Sequence, residues 1–167
     1  MKEAVYSILQ SRGSLSGLTV LDLFAGTGGL GIEALSRGAR AVVFVDSNRA
    51  AIEAIRGNLT AAGFDGEVIG TPVVRAIAHL ADGGRRFGGV FLDPPYGQRE
   101  VVGTLERLGS AGVVEDGGWV VAEHGRDEAL PERVGVFVRR LHRCYGDTWI
   151  ALFISERVAE TSHGNPE

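Results

Sequence analysis

The chain holds one cysteine, Cys144, in 167 residues, which excludes an intrachain disulfide and any zinc cluster built on cysteines and fits a reducing compartment. Its four histidines, His79, His124, His142 and His163, show no H-x-x-x-H spacing, so no metal is expected. Long apolar runs are also missing. None approaches a membrane span, and Met1-Lys2-Glu3 leads into an amphipathic segment and not a signal peptide, so a cytoplasmic protein with no membrane partner is expected. Lysine is nearly absent. Lys2 stands against 16 arginines, a skew that genome base composition accounts for more readily than phosphate binding. Positive charge is not in excess either: a net charge of −4 and a pI near 5.6 exclude a protein that coats nucleic acid through bulk charge, so any polyanion site must be local.

Glycine is plentiful. Its 25 residues are about twice the usual ~7%, which announces many turns or close backbone approaches. Hydrophobic residues at 44% and charged residues at 23% are ordinary for a soluble domain, and the length suits one core. A single domain over 1–155 is expected, with 156–167 a polar, disordered tail, and the protein is expected to be a monomer.

Apolar spacing and punctuation set out the elements. Met1 to about Arg12 carries Val5, Ile8 and Leu9 at helical spacing. Leu18 to Leu23 reads as a buried strand, followed by a glycine turn and a helix that Gly38 stops. Ala41 to Val45 is the next strand. Ser47 then serves as the expected N-cap of a helix with Ile52, Ile55, Leu59 and Ala62 on one face and Arg49 paired with Glu53 outside, ended by Gly63. Glu67 to Gly70 is a short strand, and Thr71-Pro72 starts a helix to Asp82 as N-cap and N1. The strand Gly89 to Leu92, a helix from Gln98 through Leu108 and the strand Trp119 to Ala122 follow. Val134 to Leu141 and Thr148 to Ile154 then form an antiparallel pair around Tyr145-Gly146-Asp147. This order predicts an α/β fold: a mostly parallel seven-stranded sheet with helices on both faces and a C-terminal antiparallel β-hairpin.

In such sheets ligands sit beyond the carboxyl ends of the strands. Three stretches end strands there. Asp22 to Gly31 contains G-x-G-x-x-G at Gly26, Gly28 and Gly31, with Asp46 20 positions after Gly26. Glycines let a ligand approach the backbone, the helix N-terminus favours an anionic group, and an acid after the second strand can hold ribose hydroxyls. A dinucleotide or S-adenosylmethionine satisfies that geometry. The third stretch, Asp93-Pro94-Pro95-Tyr96, decides between them. Prolines keep Asp93 and Pro94 extended, so the Asp93 carboxylate and the Pro94 carbonyl form a rigid pair of acceptors that suits an NH2 group. Tyr96 offers a flat face to an aromatic ring. A nicotinamide-dependent dehydrogenase has no use for this second motif. A methyltransferase does.

Val20 through Ala39, Asp93-Pro94-Pro95-Tyr96 and Tyr145-Gly146-Asp147-Thr148 resemble, in order and spacing, the RsmD family, over about residues 2 to 154. The resemblance implies a class I methyltransferase, Rossmann-like fold and transfer of methyl from S-adenosylmethionine to the N2 amine of a guanine in 16S rRNA, within the small ribosomal subunit of bacteria. It implies cofactor contacts from Asp22, Phe24, Gly26, Thr27, Gly28 and Leu30 on the methionine side, from Asp46 and Ser47 at the ribose, and from Val73 near the adenine. Asp93, Pro94 and Tyr96 become catalytic, and Pro95, Gln98 and Arg99 candidates for substrate contact.

Two features depart from the family pattern. An acid that relatives commonly carry near Thr71 is replaced by Gly70-Thr71-Pro72-Val73, and the basic N-terminal hairpin usual in relatives precedes the point where this chain begins. Arg99, Arg126, Arg139, Arg140 and Arg143 are further candidates for phosphate contact, against the default of solvated arginines. Two other functions share the motifs: an adenine-N6 DNA methyltransferase, disfavoured by the short chain, and a noncatalytic rRNA-binding assembly factor, disfavoured by the intact motif set.

Overall fold

A computed structural model describes residues 1–97 and 99–157. In chain order the elements are α1 (Lys2–Gln10), β1 (Thr19–Leu23), α2 (Gly29–Ser36), β2 (Ala41–Val45), α3 (Arg49–Ala62), β3 (Glu67–Ile69), α4 (Val73–Asp82), β4 (Phe87–Leu92), α5 (Val101–Ala111), β5 (Val114–His124), β6 (Arg133–Val134), β7 (Phe137–Tyr145) and β8 (Thr148–Ser155). They build one sheet in the order β3-β2-β1-β4-β5-β8-β7-β6. The first five strands of that order run parallel, and the last three join it antiparallel. The chain order reverses between β1 and β4, which makes that the switch point where a ligand crevice forms.

Period-two alternation splits the strands between two cores. Leu21, Leu23, Val90 and Leu92 face α4 and α5, which supply Ile77, Leu80, Leu105 and Leu108. Val20, Phe44, Phe91 and Val121 face the other way, under α1, α2 and α3. On that side Tyr6, Phe91 and Trp119 pack in file with their rings tilted, centroids 5.9 and 5.1 Å apart. Gly89 makes room for them: a Cβ there would lie 2.2 Å from the Trp119 ring.

The sheet has eight strands where seven were expected. Val134 pairs with Phe137 across Gly135-Val136, and Gly135 at φ 57° turns the backbone, so one expected strand splits into β6 and β7. β5 is longer than the expected Trp119–Ala122 because Val114 already pairs with Phe87, after which Gly117 and Gly118 loop out before pairing resumes at Trp119. Two caps shift by one residue. Asn48, not Ser47, caps α3 by accepting the Ala51 N–H at 3.1 Å. Pro72 and not Thr71 holds the N-cap position of α4. The helix after the Asp93 turn begins at Val101, and Gln98 lies outside the described residues, as does 158–167 of the expected tail. Arg49 and Glu53 pair as expected, at 3.5 Å on an exposed face.

Gly89→Ala forces its new Cβ into the Trp119 ring, and overpacking of this kind costs about 1–3 kcal/mol. Urea unfolding should show a lower midpoint with an unchanged slope.

Candidate active site

β1 leaves the sheet into a strained turn. Phe24 sits at φ 55°, a region that bulky residues avoid at a cost of about 1–3 kcal/mol. Hydrogen bonds hold it there. The Ala25 N–H donates to the Val45 carbonyl at 3.0 Å, and the Gly26 N–H donates to Asp46 Oδ2 at 2.9 Å. Asp46 Oδ1 accepts the Asn48 N–H at 2.9 Å, so both carboxylate oxygens are fixed by backbone. At the other end of the loop the buried Asp22 accepts the Gly31 N–H through Oδ2 at 3.0 Å. The Tyr6 hydroxyl donates to the Leu30 carbonyl at 2.6 Å, which ties α1 to the same loop.

Its glycines divide the work. Gly26 (φ 58°) has open space where a Cβ would stand, so a ligand can approach its backbone. Gly28 is buried, with Phe44 and Ile55 3.3 Å from the position of a Cβ, and packs the turn against the core.

Three cavities meet at the rim. A cleft of about 760 Å³ has Phe24, Asp46, Ser47, Val73 and Pro95 in its walls. A second, of about 290 Å³, is lined by Asp22, Gly26, Thr27, Leu30 and Glu123. The third, of about 170 Å³, lies between Pro94, Tyr96, Glu123, His124 and Thr148. Asp93 forms a wall of all three, and Arg99 borders the first and third. Tyr96 is 83% exposed, and its ring edge lies beside Gly125, 3.1 Å from the position of a Cβ there. An aromatic side chain held so far into water presents its face to whatever enters the third cavity.

The site is acidic, and Asp22, Asp93 and Glu123 resist ionisation. Burial pushes Asp22 well above the usual carboxylate range, with the Asp93 and Asp46 charges adding to it and the Gly31 N–H opposing. Solvent reaches Asp93 from the cleft, yet the protein around it still raises its carboxyl, against the hydrogen bond it shares with Glu123. Glu123 is pushed up to about 7 by burial first, then by the charge of Asp93 and by that same hydrogen bond, with the amino group of Met1 pulling the other way. Such a pocket favours an amine or a cation.

Asp22, Phe24, Gly26, Thr27, Leu30, Asp46, Ser47, Val73, Asp93, Pro94, Pro95, Tyr96 and Arg99 therefore surround one connected region. Glu123 was not foreseen, although it stands at the carboxyl end of β5 by the same strand-end rule that singles out Asp46 and Asp93. Glu128 gave no such signal: it reaches 27 residues back so that Oε1 accepts the Val101 N–H at 3.0 Å and caps α5. Among the candidate arginines, Arg139 donates to the Leu130 carbonyl at 2.6 Å and Arg140 pairs with Glu156, which makes both parts of the local structure. Arg99, Arg126 and Arg143 are exposed. Tyr145 packs against the core beneath the terminal hairpin. Among the described residues no group of three or more metal-binding side chains occurs.

The model of a family described as conserved hypothetical protein 95 matches residues 1–154. YlbH of Bacillus subtilis (strain 168), which carries a provisional rRNA methyltransferase name, is 37% identical over 155 residues, 92% of this chain and 83% of that protein. Ribosomal RNA small subunit methyltransferase D of Escherichia coli (strain K12) is 36% identical over 111 residues, 66% of this chain; the matched stretch spans 49% of that protein. Among solved structures, a conserved hypothetical protein of Streptococcus pyogenes superimposes with a TM-score of 0.85 at 33% identity, covering 93% of this chain and 96% of that one. The fold alone is shared with SMU.776, a methyltransferase-like protein solved in complex with SAH: TM-score 0.69, 16% identity, 85% of this chain and 46% of that one.

A carboxyl-labelled NMR titration should place the Glu123 midpoint near 7. In Asp93→Asn the neighbouring charge is gone and burial remains, so the midpoint should fall, though not to the ordinary value of about 4.3.

Proposed function

The chain belongs to the family described as conserved hypothetical protein 95, the RsmD-like rRNA methyltransferases, and from that membership we propose that it methylates the N2 amine of a guanine in 16S rRNA of the small ribosomal subunit. The observation that carries the reading is the position of Asp93. One carboxylate forms a wall of the cavity behind the glycine loop, of the cleft beside Asp46 and of the pocket under Tyr96, so cofactor and base would meet at it.

The residues present fit S-adenosylmethionine. Gly26 leaves its backbone open, Asp46 is fixed where ribose hydroxyls can donate to its remaining lone pairs, and Asp22, Asp93 and Glu123 surround the place for a cation. When bound, it supplies an electrophilic methyl group on a positively charged sulfur. Phe24 and Val73 give the large cleft apolar walls for an adenine ring.

Exocyclic amines of bases are poor nucleophiles because the lone pair is delocalised into the ring. The Asp93 carboxylate and the Pro94 carbonyl accept the two amine hydrogens and favour a pyramidal nitrogen. Those hydrogens grow more positive as the new N–C bond forms, so both acceptors bind the transition state more tightly than the ground state. Tyr96 stacks on the ring and fixes its approach. After transfer the cationic nitrogen sheds a proton to Asp93 or to water. The protein works as a monomer in the cytoplasm, and Arg99, Arg126 and Arg143 contact RNA phosphates. Among the described residues no helix is long and apolar enough to cross a membrane.

Labelled methyl from S-adenosylmethionine, offered to unmodified small subunits, naked rRNA and DNA and followed by nucleoside digestion, should appear as N2-methylguanosine from subunits or rRNA. N6-methyladenine from DNA, or cofactor binding without transfer, would overturn the reading. Asp93→Ala should cut transfer by about 100-fold or more while cofactor affinity stays within a few-fold. Asp46→Ala should do the reverse, weakening cofactor binding by about tenfold or more through loss of its hydrogen bonds. Tyr96→Ala should lower kcat/KM about 5- to 100-fold through lost stacking, and Tyr96→Phe should retain most of it.

A further inference from the structure

Three carboxyl groups line the cavity under Tyr96; Glu128 is engaged by the Val101 N–H and the transfer chemistry uses Asp93, which leaves Glu123. β4 and β5 pair in parallel with Leu92 opposite Ala122, so Asp93, the first residue beyond β4, stands beside Glu123, which still pairs with Ile150 of β8, and the two side chains hydrogen-bond. Glu123 reaches the same cavity as Pro94, Tyr96 and Thr148. Nothing in the amine-holding chemistry of Asp93 and Pro94 requires a second acid there.

Bases that carry an exocyclic amine differ in what stands beside it on the pairing edge. Adenine and cytosine place a ring nitrogen with a bare lone pair next to the NH2. Guanine places N1–H there, a second donor adjacent to the first. Two adjacent carboxylates match two adjacent donors and oppose a donor beside a lone pair.

Resting on the reading that Asp93 and Pro94 receive the amine, we propose that Glu123 selects guanine, its carboxylate accepting N1–H while Asp93 accepts N2–H. Adenine or cytosine in the same pose would set a lone pair against a carboxylate, with both left unsatisfied after desolvation. The acceptor pair thereby explains why a motif that serves amines in general acts on guanine in this chain.

Other groups facing Glu123 bear on its state. Asp93 and Asp22 approach it from β4 and β1, and the Met1 amino group and Lys2 from the side of α1. His124, Arg99 and Glu128 border the cavity; His124 is engaged by the Gly125 carbonyl at 2.8 Å and by His142 at 2.9 Å. With Glu123 pushed up to about 7, acidification converts it from acceptor to donor within the range where the protein can be assayed. A protonated Glu123 no longer rejects a bare ring nitrogen.

The test uses the full chain and two rRNA substrates that differ only at the methylated position, one with guanine and one with 2-aminopurine. The latter keeps the N2 amine, replaces N1–H with a lone pair and lacks O6, so the part of the preference that depends on Glu123 is the readout. At pH 8 the wild type should favour guanine by about 10- to 100-fold in kcat/KM, the range expected of one base-edge contact. Glu123→Gln should bring that ratio within a few-fold of unity, because an amide can donate as well as accept. Lowering the pH to 6 should narrow the ratio in the wild type itself, a readout that does not depend on the variant's folding.

A ratio that persists in Glu123→Gln and at pH 6, or one absent from the wild type, overturns the assignment to Glu123 and leaves the amine reading standing. So does weakened cofactor binding in Glu123→Gln with the ratio intact, which would move Glu123 to the cofactor. Wild-type transfer that misses N2 of both bases overturns the amine reading beneath it.

Discussion

Two carboxylates hold the ends of one glycine loop, and the site depends on them. Asp46 takes the Gly26 N–H and Asp22 the Gly31 N–H, so neighbouring strands of the sheet clasp the segment between them. The clasp maintains Phe24 at a positive φ and leaves the Gly26 backbone open to a ligand. Without it the loop would relax and the cleft lose its floor. The cost appears at Asp22, whose buried carboxyl is forced far from its ordinary ionisation. A cation bound nearby would offset that burden, which couples the fold's least comfortable charge to occupancy of the site.

Asp93 extends the same logic across the switch point. Because β4 lies beside β1, the turn after Leu92 is set against the glycine loop, and one side chain can face the cavities on either side of it. The two prolines keep that turn extended, and Tyr96 remains in water with its ring beside Gly125. An exposed aromatic contributes little to folding, and its ring face is open to a planar group. The antiparallel end of the sheet completes the enclosure: β8 pairs with β5 so that Thr148 arrives next to the pocket that Tyr96 covers. The net charge is negative and acids crowd the pocket, while the exposed Arg99 and Arg107 stand on the wall of the large cleft.

Much of the fold was legible because its parallel strands are buried on both faces and read as short apolar runs closed by Asp or Gly. β2 over Ala41–Val45 and the Gly63 stop of α3 follow directly from that pattern. The errors are local. Val134 to Leu141 has no proline to divide it, and only the positive φ of Gly135 turns it into two strands. Gly117-Gly118 suggests a break before Trp119, yet pairing of Val114 with Phe87 carries β5 across it as a looped-out irregularity. Both outcomes are set by partners distant in sequence. The cap of α3 moved by one residue because Ser47 and Asn48 both carry an acceptor and Asn48 takes the Ala51 N–H, whereas α4 starts at Pro72 with no side-chain cap.

By itself the sequence determined the alternation of strands and helices, the glycine loop, the acceptor pair of Asp93 and Pro94, and the likeness that names the family. These are local properties, written in residues close along the chain, where φ restriction, hydrogen-bonding capacity and hydrophobic period act directly. Tertiary structure alone decided that Asp93 belongs to three cavities at once, that Arg139 and Arg140 serve the local structure, that Glu128 caps a helix 27 residues away, and that Glu123 stands beside Asp93. The physical reason is register. Which side chains leave a sheet together depends on how parallel strands are ordered and aligned, and that alignment is fixed by packing of both faces at once.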